Sequence, residues 1–130
     1  HEFIGGRVDI LVCNEREASA LFGAEDLKVV AAKARALAPL TAVTLSEKGS
    51  LLIPRDGEAV AVAAVAPTRL VDTTGAGDAY AAGLLFGLAR GFDLARAGAL
   101  GSLAAAEVIS HFGARPEQNL KALASAKGLL

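Results

Sequence analysis

The stretch Val71–Leu85, VDTTGAGDAYAAGLL, constrains the fold more than any other part of the chain. Leu70 and Val71 read as the end of an apolar strand. Asp72, Thr73 and Thr74 follow with three short oxygen-bearing side chains. Gly75, Ala76 and Gly77 form a small-residue turn where backbone can come close to a ligand. Asp78 then falls in the first turn of a helix, with Tyr80, Ala81, Leu84, Leu85 and Leu88 recurring at helical spacing. A strand that feeds a glycine turn that feeds a helix leaves N–H groups free at a positive helix end. That is a ready site for phosphate.

Asp78 carries the chemistry of this stretch. A carboxylate beside amides that hold an anion would normally repel it. The position makes sense if the carboxylate takes a proton from a hydroxyl that attacks the phosphate, help worth roughly 10²–10⁴-fold in rate. It makes equal sense as a charge that complements the helix dipole, worth roughly 0.3–1 kcal/mol. Spacing alone leaves both readings open.

The ordered run DTTGAGDAYAAGLL closely resembles the C-terminal signature of the ribokinase-like carbohydrate kinases. No GxxxxGK[ST] loop occurs in the chain, and the third glycine of GxGxxG is missing here. The resemblance implies that Gly75, Ala76 and Gly77 form an anion hole and that Asp78 is the catalytic base. It also places Asp72 and the carbonyl of Thr74 at positions that bind a monovalent cation, K⁺, in many members.

The chain has 130 residues, room for one domain, and contains no Met. It is therefore expected to be processed or a fragment. It is 53% hydrophobic but only 5% aromatic, so Ala, Leu and Val dominate its apolar content. Such a core packs in thin helix–sheet layers, and excess apolar surface suits a face that a partner covers. Members of the resembled family are about twice this length or more. Residues 1–130 are thus expected to form the C-terminal nucleotide-binding and catalytic portion of a three-layer α/β, Rossmann-type sheet with helices on both faces.

Net charge is −1 with no basic stripe, which argues against a nucleic-acid partner. The single cysteine, Cys13, forbids an intramolecular disulfide and suits a reducing cytoplasm. The longest apolar run, Ala59–Pro67, is too short to span a bilayer, so no membrane association is expected.

Val8–Cys13 reads as a buried parallel strand and Glu15–Phe22 as a helix with Ala18, Leu21 and Phe22 inward. Asn14 and Glu17 make a capping-box pattern between them. Asn14-Glu15-Arg16-Glu17 also resembles the family's N-x-x-E motif, which acts near Mg²⁺ and the nucleotide phosphates, largely through water. Asp26–Ala38 reads as a helix with Leu27, Val30, Ala31, Ala34 and Leu37 on one stripe. Ala42–Leu45 reads as the next strand. Ser50–Ile53 and Ala59–Val65 read as a strand pair around the Pro54–Gly57 turn. The linking TLSEKGS is an ordinary hairpin connection by its residues alone. It resembles the family's T-L-G-x-x-G nucleotide loop, with Ser46 in place of the first glycine. Thr44, Ser46 and Gly49 are then nucleotide-binding candidates.

Arg90 and Gly91 close the signature helix, and Asp93 caps a helix over Leu94–Ile109. Small residues such as Ala97, Gly98, Gly101, Ala104 and Ala105 give this helix a smooth face, suited to close helix packing or to a flat adenine ring. The family places adenine here, which makes Ala104 and Val108 candidates. His111 by itself reads as a hydrogen-bonding loop residue. Gly113, Ala114 and Pro116 match a family loop, G-A-x-P, that completes the monovalent-cation site. Carbonyls of Val108, His111 and Gly113 are then candidate ligands, and Glu117 stands where several members carry a hydroxyl residue. Leu120–Leu130 reads as a closing helix.

The resemblance therefore implies ATP- and Mg²⁺-dependent phosphoryl transfer to a hydroxyl of a sugar or nucleoside, closest in wording to bacterial adenosine-kinase-type members. A ribose- or fructose-type acceptor is the alternative. Homodimers of a full-length protein are expected through the lid that family members carry. A second class of function is a nucleotide-binding fragment without catalysis by itself.

Overall fold

A computed structural model describes residues 8–67, 70, 73, 75–111 and 119–130. The described fold is mixed α/β, with a four-stranded sheet whose strands lie side by side in chain order and five α-helices. The chain divides into two compact units, residues 1–46 with 50–61, and residues 47–49 with 62–130.

In the first unit, β1 (Ile10–Asn14) runs directly into α1 (Glu15–Phe22). The junction is fixed by Asn14. Its Oδ1 accepts from the Glu17 N–H at 2.8 Å, and its own N–H donates to Glu17 Oε1 at 3.0 Å. A cap of this kind contributes about 1 kcal/mol. Gly23 ends α1 in the left-handed region at φ 66°, where glycine has no Cβ to strain. The next helix, α2 (Leu27–Leu37), is capped by Asp26 and buries Val30 and Ala34. Leu27, expected on the same stripe, is 36% exposed because it opens the first turn.

The chain then returns as β2 (Leu40–Thr44), parallel to β1, and β3 (Ser50–Pro54), antiparallel to β2. Cys13, Val43 and Ile53 share one sheet face and meet Ala18, Phe22, Val30 and Ala34 in a single core. Arg35 Nη1 donates to the carbonyls of Pro54 and Gly57 and so pins the turn after β3. The expected strand Ala59–Val65 shrinks to β4, Val60–Val62. Ala63 and Ala64 lie exposed outside it, since alanine offers too little surface to hold a strand by packing.

The second unit is built on α3 (Ala76–Ala89) and α4 (Leu94–Val108), joined by a short link that ends in the Asp93 cap. The two helices meet through small residues. A Cβ on Gly83 would stand 2.6 Å from the Leu100 carbonyl oxygen, and one on Gly87 would stand 2.7 Å from Ala97 Cα. Gly101 approaches Tyr80 equally closely. Close packing, one of the two readings of the small-residue face, thus accounts for Ala97 and Gly101. Leu100, Leu103 and Ala124 form the core with α5 (Leu120–Ala126), joined by Phe92, Leu129 and Leu130. The closing helix stops short of its expected end at Leu130 because Gly128 turns left-handed, at φ 73°. Arg96 anchors the tail: Nε donates to the Leu129 carbonyl at 2.8 Å while the guanidinium stacks on Phe92. Among the described residues, no helix is long and apolar enough to cross a membrane.

Candidate active site

Gly75 is the N-cap of α3 at φ 80°, a conformation that glycine adopts without strain. Leu70, expected as the end of the preceding strand, belongs to no strand and is 70% exposed. Val71, Asp72 and Thr74 lie outside the described residues, as do Gly113, Ala114, Pro116 and Glu117.

At the helix start, the Ala76 N–H donates to the Thr73 carbonyl at 3.2 Å. That bond takes Ala76 out of the expected trio of open amides. The N–H groups of Gly77 and Asp78 find no acceptor among the described residues, as the first turn of a helix dictates. A Cβ on Gly77 would meet nothing within 4 Å, and its backbone is not left-handed. Neither packing nor strain therefore calls for glycine at this position. Asp78 is exposed in the first turn.

Gly75 and Asp78 open onto a cavity of about 580 Å³ walled by α3, α4 and α5. A volume of this size is typical of small-molecule sites. Ala104, singled out in the sequence, lines the same cavity, whereas Val108 does not and is fully buried. Phe86, Arg90 and Lys121 also line it and were not anticipated. The signal for two of them was present: Asp78, Ala82, Phe86 and Arg90 recur every fourth residue on one helix face. Arg90 stacks on Phe86 at 5.0 Å from the ring centroid. The His111 ring pairs through Nε2 with Glu107 Oε1 at 2.9 Å, and both side chains are buried. The His111 side chain is thus a hydrogen-bonding group of the fold, and the expected cation ligand at this position is its carbonyl alone.

In the first unit, Asn14 and Thr44 are Cα partners at the adjoining C-terminal ends of two parallel strands. In open α/β sheets this edge is where ligands bind. Glu17 joins them through the capping box, which commits its Oε1 and leaves the residue exposed. Among the described residues, no three His, Cys, Asp or Glu side chains cluster as a metal cage. Gly49 belongs to the second unit. A Cβ there would lie 2.0 Å from the Val62 carbonyl oxygen, so close backbone packing by itself requires glycine.

Residues 1–120 match the pfkB family of carbohydrate kinases. The chain belongs to this family. A cytidine kinase from Thermococcus kodakarensis is 39% identical over 85% of the chain and 40% of its own length. The structure of adenosine kinase from Sinorhizobium meliloti superposes with a TM-score of 0.91 at 42% identity, covering 97% of this chain and 38% of that one. Arabidopsis thaliana ribokinase complexed with ribose and ATP gives 0.80 at 27% identity, covering 94% and 41%. The fold is accordingly the ribokinase-like α/β fold, and the chain spans about 40% of the length of these proteins.

Proposed function

We propose that the chain carries the catalytic and nucleotide-binding elements of an ATP-dependent kinase whose acceptor is a hydroxyl of a sugar or nucleoside. The single observation behind this reading is Gly77. Its glycine serves neither packing nor backbone conformation, and its N–H, in the first turn of the helix beside an exposed carboxylate, finds no acceptor among the described residues. A phosphoryl oxygen resting against that end supplies the missing reason for a residue without a side chain.

In this reading the acceptor oxygen attacks the terminal phosphorus and the bond from phosphorus to the ADP oxygen breaks. The acceptor proton passes to the Asp78 carboxylate. The amides of Gly75, Gly77 and Asp78 stabilise charge on the transferring group, positioning plus electrostatics being most of what such chemistry needs. Mg²⁺, when bound, neutralises phosphate charge. Asn14 and Glu17 fit it through water, because Glu17 commits one oxygen to the cap and Mg²⁺ retains several waters. Asp72, Thr74, His111 and Gly113 belong to the proposal of a K⁺ site by resemblance alone.

Asp78→Asn in the complete gene product tests the assignment. Turnover is expected to fall roughly 10²–10⁴-fold while the Kd for ATP stays within a few-fold. Turnover within a few-fold of the parent removes Asp78 as the base.

A second reading is a nucleotide-binding portion that performs no chemistry by itself. It is favoured by the share of relatives' length that the chain spans, about 40%. ATP binding without phosphoryl transfer by the 130-residue chain, with both in the complete gene product, supports it.

A further inference from the structure

Beyond Asp78 the cavity continues as a trough along α3. Asp78, Ala82, Phe86 and Arg90 all line it from one helix face, which carries the trough about 18 Å from the acid to the arginine. Leu100 and Leu103 of α4, with Leu130, supply apolar wall, and every lining residue belongs to the same compact unit. Asp78 is the only charged residue of α3, so the helix is apolar on every side and its outer face calls for cover. Phe86 is nonetheless 42% exposed.

The far end of the trough carries a cation that the fold does not use. Arg90 stacks over the Phe86 ring, as Arg96 stacks over Phe92. Arg96 spends its head group on the fold, since its Nε donates to the Leu129 carbonyl. The Arg90 guanidinium bonds no acceptor among the described residues. A cation here complements the C-terminal end of α3, but that task leaves its N–H donors open. Lys121 and Asp78, the other charged residues of the lining, are opposite in sign, so the lining as a whole is cationic.

We infer that the trough binds an amphipathic anion, an unbranched apolar chain ending in one carboxylate, with the carboxylate on Arg90 and the chain along Ala82, Phe86 and Leu100. A planar guanidinium takes a carboxylate through paired hydrogen bonds, and the ring beneath it holds it in place before the ligand arrives. The chain covers the apolar face of α3 that water otherwise touches. The head group lies about 18 Å from Asp78, so this site is separate from the proposed phosphoryl chemistry and does not depend on it.

Calorimetric titration of the complete gene product with octanoate and with octan-1-ol tests the site. Octanoate is expected to bind the parent more tightly than the alcohol. Arg90→Gln is expected to weaken octanoate roughly tenfold, the scale of a hydrogen bond to a charged group, and to leave the alcohol unchanged. Ala82→Leu, which fills the trough, is expected to weaken both. Both positions are exposed, so thermal melts are expected to stay near the parent value. An equal effect of Arg90→Gln on acid and alcohol overturns the head-group assignment, and parent-like affinity in Ala82→Leu places the ligand elsewhere. Octanoate binding by the 130-residue chain but not by the complete gene product shows that further chain covers the trough, and overturns the inference. Absence of phosphoryl transfer removes the kinase reading alone and leaves this test intact.

Discussion

Gly83 of α3 and Gly101 of α4 meet backbone to backbone: a Cβ on Gly83 would lie 2.8 Å from both the Cα and the N of Gly101. Both obstacles are backbone atoms, so a side chain cannot be accommodated by a rotamer change. The helices themselves must separate. Gly83→Ala is therefore expected to lose about 1–3 kcal/mol through overpacking, against a gain of about 1 kcal/mol in helix propensity. Urea unfolding measures the net, expected to be a loss. Gly77→Ala is the control, because its Cβ meets nothing within 4 Å. Equal stability of the two variants would refute the close-packing account of α3 and α4.

Glu17 offers a separation of structure from function. Its Oε1 accepts from the Asn14 N–H, a task that the amide oxygen of glutamine performs equally well in a capping box. Glu17→Gln is expected to keep unfolding free energy within about 0.5 kcal/mol of the parent, the range of surface substitutions away from special features. Apart from its smaller share in the rise of the Cys13 thiol, the lost charge bears on the proposed Mg²⁺ role. A higher Mg²⁺ concentration for half-maximal activity in the complete gene product is the expected outcome. An unchanged Mg²⁺ dependence would reduce Glu17 to a cap.

How legible these features were depended on how local their causes are. The caps at Asn14 and Asp93 follow from short side chains bonding amides three residues on, so their positions could be read directly, whereas Asp26, read as the first residue of its helix, is the cap before it. The GAGD turn was legible for the same reason, since Gly75 needs its left-handed backbone whatever lies around it. Alanine-rich segments were harder. Ala59–Val65 alternates like a strand, yet only Val60–Val62 pairs, because small side chains secure so little area. The small face of α4 allowed two readings. Which residue meets Tyr80 and which faces the cavity depends on how distant helices cross, and Gly101 and Ala104 take different neighbours only three residues apart. Phe86 and Arg90 sat in plain periodicity with Asp78, but a helix apolar on every side does not mark which face is left open.

Cys13 gives the fold a pH signature. Burial pushes its thiol from the usual 9.0 up to about 11, and the Glu17 carboxylate nearby adds to the rise. The folded state therefore favours the neutral thiol. Below pH 9 the thiol is protonated in both states and the contribution to stability is fully present. As pH rises from 9 towards 11, the unfolded chain loses this proton first, so stability falls across that window. Ultraviolet absorbance of the thiolate, followed against pH in the folded protein, is expected to rise with a midpoint near 11. In Glu17→Gln the midpoint moves down only part of the way, since burial is the larger cause. A thiol that ionises at its ordinary pH in the folded protein would show that Cys13 is open to water, and the core around Val43 and Phe22 would have to be redrawn.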